Sequence, residues 1–408
     1  MAQVAVQATD RFERKREAIL DASTTLLNAR GVKGLTLGVA AASVGLSTTS
    51  VTYYFRRKDD LAAAVMLRGI QSLSDIVQRA LDEPSPPRRL HALIDLYLRR
   101  MRCAALGEAA PLPALSDLRA LNPPQRGEVM AAYLKMFRKA RQIFEAPELD
   151  WLTRGRRTAR THLLLEQLFW ARAWLPKYDP EDYGRVCERM YDILVGGLAA
   201  ADRAWAPQAI PVAEVAPRDR AELARETFLL AATRLINSRG YRGASVDKIS
   251  AELNVTKGSF YHHNEAKDDL VVACFERTFE VMTRVQRLAL TLSGDQWTRL
   301  SSAASALVEY QLSEHGPLLR TTALAALPEP IRQQMVQHSD KVSDRFASMI
   351  SDGVCEGSIR GVDPFLAAQM LNATINAGAE LGAWVPGVKP KAAPAVFARP
   401  LLMGIFAR

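Results

Sequence analysis

Residues 46–61 read "LSTTSVTYYFRRKDDL" and residues 255–270 read "VTKGSFYHHNEAKDDL". Each passes from an aliphatic residue through hydroxyl side chains to an aromatic run and closes on Lys-Asp-Asp-Leu. The two stretches lie 209 residues apart, and the match continues around them without a gap. Gly31 falls on Gly240, Gly34 on Gly243, Thr36 on Ser245, Ser47 on Thr256 and Ser50 on Ser259. A period this long, occurring twice, means a duplicated domain rather than a solenoid.

Each copy predicts three short helices. Residues 12–29 and 219–238 carry apolar residues on one helical face (Ile19, Ala22, Leu26; Phe228, Ala231, Leu235). Arg30-Gly31 and Arg239-Gly240 end that helix, since glycine takes the left-handed conformation there at no steric cost. Thr36 and Ser245 are N-cap candidates for a second helix, and Gly45 and Asn254 stop it. Ser47 and Thr256 cap a third, running to Tyr54 and His263. Two short helices joined by a tight turn make a helix-turn-helix.

The third helix of such a unit lies in the DNA major groove. Its exposed face needs short donors and acceptors near the N-terminus and groups that reach phosphates. The first copy offers the hydroxyls of Ser47, Thr48, Thr49 and Thr52 and the phenols of Tyr53 and Tyr54. The second offers Thr256, Lys257 and Ser259, with Gly258 allowing close backbone approach and Tyr261, His262 and His263 following. Lys58 and Lys267 open the next helix within reach of the backbone. With the caps Thr36 and Ser245, these are the candidate DNA-binding residues.

The rest of each half also reads as helix, at 157–175, 180–205 and 363–384. Period-2 alternation is never sustained, so the expected class is all-α. Two tandem units follow: readers at 1–62 and 218–271, helical bodies at 63–205 and 272–408. Between them, 206–217 ("APQAIPVAEVAP") holds three prolines and suits a stiff linker. A chain of 408 residues exceeds one ordinary core. The apolar fraction of 48% argues against disorder. No uncharged run is long enough to span a bilayer, and the first residues lack a signal-peptide layout, so no membrane partner and a cytoplasmic location are expected. Cys103, Cys187, Cys274 and Cys355 stand far apart and read as reduced thiols; no metal site is expected from them or from the adjacent His262-His263.

The repeated pattern resembles the tetracycline-repressor (TetR) family of transcriptional regulators. Residues 255–270 keep Gly258-Ser259, Tyr261 and Lys267-Asp268-Asp269-Leu270; residues 46–61 keep Tyr53, Phe55 and the same tail. Departures are Thr52 where the family has a phosphate-contacting Tyr, Tyr54 where His is common, and Asn264 where a core Phe is usual. The resemblance implies a helical ligand-binding or dimerisation body behind each reader, with its last two helices forming a four-helix interface. Residues 157–205 are then expected against 363–406.

That resemblance implies an operator as DNA partner, a small-molecule effector of unread identity, and repression released by that effector. Two readers in one chain form the pair internally, and because they differ the operator should be an imperfect palindrome. Further pairing of tandem chains into a homodimer is also compatible. From Arg30 to Leu61 there are five Lys and Arg against two acids; from Arg239 to Leu270, five against five. Since phosphate affinity follows basic charge, the first reader should hold more tightly and the second discriminate. The alternative is a sensor or scaffold of the same fold in which one reader is idle. Catalysis is not expected: no phosphate loop, HExxH or Ser/His/Asp spacing is present, and no cofactor is implied. The aromatics Phe169, Trp170, Trp174, Tyr183 and Tyr191, and Met101, Met136, Phe137 and Phe144, are expected to serve packing rather than an effector pocket.

Overall fold

The computed structural model describes residues 2–211, 220–240, 248, 251 and 267–408. The first half holds α1 (Ala2–Gly34), α2 (Leu37–Ser43), α3 (Thr48–Tyr54), α4 (Lys58–Leu81), α5 (Pro86–Ala105), α6 (Gln125–Ala140), α7 (Arg154–Trp174) and α8 (Tyr183–Gly196). The second holds α9 (Arg220–Arg239), α10 (Lys267–Leu290), α11 (Gln296–Leu312), α12 (Glu329–Glu356), α13 (Pro364–Ala377), α14 (Leu381–Trp384) and α15 (Ala393–Leu402). Among the described residues no strand forms; one antiparallel bridge joins Ala199 to Ile359. No described helix is long and apolar enough to cross a membrane.

The first reader forms as its caps dictate. No glycine or proline interrupts residues 2–30, so α1 begins well upstream of the expected residue 12. The break comes at Gly31, with φ 63°. Thr36 accepts from the Val39 amide at 3.2 Å and starts α2. Gly45 turns the chain with φ 65°, and Ser47 then accepts from the Ser50 amide at 3.1 Å to start α3. Ile19, Leu20, Leu27, Val51, Phe55 and Leu61 close the core of this unit.

The duplication runs through the bodies as well. α4 and α10 correspond residue for residue at the 209-residue shift. "PLPALSDLRAL" (111–121) matches "PLLRTTALAAL" (317–327) at a shift of 206, and the Trp174…Pro180 segment matches Trp384…Pro390 at 210. Equivalent bonds mark equivalent positions. Arg68 pairs with Glu17 at 2.9 Å, and Arg277 pairs with Glu226 at 2.6 Å; each ties a reader's first helix to its body. Asn28 donates to the Leu112 carbonyl at 2.9 Å and accepts from the Ala114 amide at 2.7 Å. Asn237 repeats this with Leu318 and Arg320, at 2.9 and 3.0 Å.

The halves meet through α7 and α8 on one side and α13 and α15 on the other. Gln167 donates to the Met370 carbonyl and the Thr374 hydroxyl at 3.0 and 2.9 Å, and buried His162 donates to the Ala377 carbonyl at 3.0 Å. His162 also stacks on Phe397 at 5.4 Å. Two expected helices end early. α8 stops at Gly196 rather than running to residue 205, because Gly197 turns with φ 68° where a Cβ would lie 2.5 Å from the Leu402 carbonyl oxygen. Residues 363–384 break after Ala377 into a short 3₁₀ turn and α14. The linker is not a free spacer over its described part: Gln208 bonds Ser302 at 2.8 Å and Ile210 is buried. Residues 212–217 lie outside the described residues.

Candidate functional site

Helix α3 presents a hydroxyl-rich face. Thr48, Thr49 and Thr52 are exposed on it, and Thr36, Ser47 and Lys58 are exposed around it. Two of the hydroxyls serve the fold as well. Ser47 caps α3 and shares a 2.8 Å bond with the Ser50 hydroxyl, while Thr52 donates to the Thr48 carbonyl at 2.8 Å and keeps its lone pairs free. The tyrosines divide. Tyr53 is 77% exposed, whereas Tyr54 is half-buried with its ring 4.6 Å from that of Phe12. Tyr54 therefore belongs to the packing of α3 on α1 rather than to the open face. Arg56, Arg57 and Lys58 follow, all exposed, and no acid enters the surface until Asp59.

The exit from this reader is fastened to the body. The Arg57 amide donates to Asp60 at 3.1 Å, and Gln125 at the start of α6 donates to the same carboxylate at 2.7 Å. Burial pulls the Asp60 pKa up, but the hydrogen bonds from Gln125 and Arg57 outweigh it and hold the carboxyl below its ordinary value. Of the second reader's candidates, Ser245, Thr256, Lys257, Gly258, Ser259, Tyr261, His262 and His263 lie outside the described residues. Lys267 begins α10.

A cavity of about 450 Å³ lies between the two halves. Phe169, Trp170 and Trp174, expected as packing, line it; Tyr183, Tyr191 and Phe144 do not. Five basic side chains (Arg119, Arg172, Lys177, Arg320 and Arg332) face three acidic ones (Glu166, Asp340 and Glu380). Arg320 bonds Glu166 at 3.1 Å and also Glu380; Arg119 bonds Glu380 at 2.5 Å and the Asn237 carbonyl at 3.2 Å. Burial lowers the pKa of both guanidinium groups, with Glu166 opposing. This cluster was not legible in sequence, since Arg119 and Glu380 stand 261 residues apart. Also missed were His91, Cys187 and Glu188, which approach closely enough to share a cation. The His91–Glu188 bond of 2.8 Å accounts for that pair, and burial pushes the Cys187 thiol up to about 12.

Comparison with known proteins finds the model described as "Bacterial regulatory proteins, tetR family" twice, at residues 19–65 and 228–274. The Transposon Tn10 TetC protein of Escherichia coli is 29% identical over 102 residues, 23% of this chain and 51% of the relative. The match thus spans about half the length of that relative. The HTH-type transcriptional repressor DhaR of Mycobacterium sp. (strain GP1) is 29% identical over 154 residues, 37% of this chain and 77% of DhaR. Among solved structures, AibR in complex with isovaleryl coenzyme A and operator DNA is 21% identical with a TM-score of 0.36, covering 44% of this chain and 97% of AibR.

Proposed function

Because the chain is a tandem member of the bacterial tetR regulatory family, with that family's DNA-binding domain at 19–65 and again at 228–274, we propose that it is an effector-released repressor that reads DNA as an internal pair. The exposed hydroxyl face of α3, followed by three basic residues, carries the DNA-binding part of this reading. Hydroxyls at a helix start suit phosphate oxygens and base edges. Support for the internal pair comes from α7 and α8 packed against α13 and α15, the place where two separate subunits of such a regulator would meet. Repression is favoured by DhaR, a relative named as a repressor.

In the effector-free state both third helices grip DNA. A small molecule that binds the body better in another reader spacing would release it, by the difference of its affinities for the two states. Because the readers differ, the operator is an imperfect palindrome with unlike half-sites about 34–36 Å apart, one turn of the duplex. Genome-wide mapping of bound sites followed by footprinting tests this. One chain protecting two unlike half-sites is the expected result; two identical half-sites, each held by one chain of a dimer, would refute the internal pair. Lys257→Ala with His262→Ala tests the second reader, and unchanged operator affinity would show it to be idle.

A further inference from the structure

The duplicated bodies do not enclose equivalent space. The inter-half cavity measures about 450 Å³, within the roughly 300–1,000 Å³ range of small-molecule sites. The corresponding place in the second half keeps only about 30 Å³. The two linings carry different side chains at matched positions. Leu73 lines the large cavity, and its match Met282 lines the small one together with Thr278 and Phe279. Across the seam, Trp170 reaches the small space, while its counterpart Glu380 reaches the large one. Of these two matched places, among the described residues, one is roomy and the other nearly closed; a separate open cleft of about 590 Å³ lies between α1, α4 and α6 of the first half.

The chemistry of that cavity is one-sided. Its basic side chains outnumber its acidic ones, five to three, and its remaining lining is largely aromatic and aliphatic. Arg320 is nine-tenths buried, and its Nε has no protein partner. A buried guanidinium N–H without an acceptor leaves a desolvated donor uncompensated; any oxygen acceptor would relieve it, and an ionised one makes the stronger bond, which the basic surplus of the lining favours. Glu166 and Glu380 already engage Arg320, so an organic cation would have to take them from guanidinium groups in a lining of the same sign as itself.

The cavity also touches the supports of both readers. Asn28, on the first helix of the first reader, lines it and grips Leu112 and Ala114 in its wall. Arg119 reaches from the wall to the Asn237 carbonyl on the first helix of the second reader, and Asn237 in turn accepts from the Arg320 amide.

We propose that this cavity is a single effector site per chain, that it takes a small organic anion with an aromatic or aliphatic body, and that its one occupant biases both readers. The inference deepens the effector-released reading above and rests on it. The anionic head lies against Arg320 and Arg119 in competition with Glu380, and the apolar body lies among Tyr133, Phe169 and Trp170.

The test uses the full chain with 1-naphthoate as probe and 1-naphthylmethylammonium as its cationic match, titrated by calorimetry. One naphthoate per chain is expected, with the ammonium compound at least about tenfold weaker, the scale of a charge-assisted contact. Arg320→Met weakens naphthoate about tenfold or more. Since that variant breaks a buried charge cluster, Glu380→Gln provides the second arm. It removes the competing carboxylate, so naphthoate binds more tightly, a result that a misfolded chain cannot give. Saturating naphthoate lowers protection of both half-sites together. The proposal is overturned by no saturable naphthoate binding, by two sites per chain, by equal or tighter ammonium binding, by Glu380→Gln that leaves affinity unchanged or weaker, or by release of one half-site alone. A gel shift of the ligand-free chain separates the two failures. Lost DNA binding sinks the regulatory reading, whereas intact DNA binding beside a failed titration sinks only this site.

Discussion

At the scale of single residues, neighbours in sequence take different tasks. Tyr53 and Tyr54 have the same side chain, yet α3 leaves one largely in solvent, meeting Phe12 edge-to-face at 5.8 Å, and lays the other half-buried against that ring at 4.6 Å. A helix of seven residues buries one stripe, and Val51 occupies it fully. Position 54, three residues on, shares that stripe, and position 53 does not. Tyr53→Ala should therefore leave thermal stability within about 0.5 kcal/mol, as an exposed substitution does. It should weaken DNA binding by about 1 kcal/mol, roughly fivefold, the worth of one hydrogen bond. Tyr54→Ala should do the reverse and lower the melting temperature first. A melt and a gel shift on both variants check this. The spacing of hydroxyls in residues 47–52 made the reading face legible from sequence. The division between the tyrosines was not, because both rings meet Phe12, about 40 residues upstream, in different geometries, and no local pattern brings that ring to α3.

At the scale of elements, the two bodies hold one joint with different pieces. In the first half Gly69 of α4 lets Pro113 lie flat against the helix, and a Cβ there would stand 2.1 Å from the proline Cγ. In the second half the helix carries Thr278, whose hydroxyl accepts from the Leu319 amide at 2.9 Å. Proline has no N–H to give, so the helix opposite it needs room; leucine has one, so the helix opposite it needs an acceptor. Gly69→Ala should overpack the joint and cost about 1–3 kcal/mol, read as a lower denaturation midpoint. The helices at 157–175 and 363–384 were legible from their amphipathic pattern. Their breaks were not, since Gly197 and Ala377 stop helices for tertiary reasons: a carbonyl from the far end of the chain and a 3₁₀ turn at the seam. The cavity escaped for the same reason, as its charges come together only when the halves dock.

At the scale of the whole molecule, the seam carries a titratable group. Burial above all holds the His162 pKa below its ordinary value; Arg320 and Arg119 push the same way, and Glu166 and the Ala377 carbonyl oppose. The unfolded chain, titrating near about 6.5, then takes up the proton before the folded one does. Stability is complete above that pH and falls as pH drops below it towards the lowered folded value. A variant His162→Gln, which retains an N–H for the Ala377 carbonyl, should flatten this acid limb, with urea midpoints from pH 7.5 to 5 as the measurement. If the wild-type midpoint stays level across that range, the imidazole is not the group that loosens the seam.

The Gly69–Pro113 and Thr278–Leu319 joints also bear on how such a gene lasts. Two similar stretches in one reading frame invite crossover between them, which would excise a half and leave a hybrid unit. Excision would join α4 to the second half's loop, set Gly69 against Leu319 and leave the buried Leu319 amide without the Thr278 hydroxyl it donates to. A buried N–H with no acceptor costs about 1–3 kcal/mol, before the gap opposite Gly69 is counted. Divergence of matched pairs thus makes the recombinant a poor protein, and the tandem gene is guarded against collapse to one copy by the way its product packs.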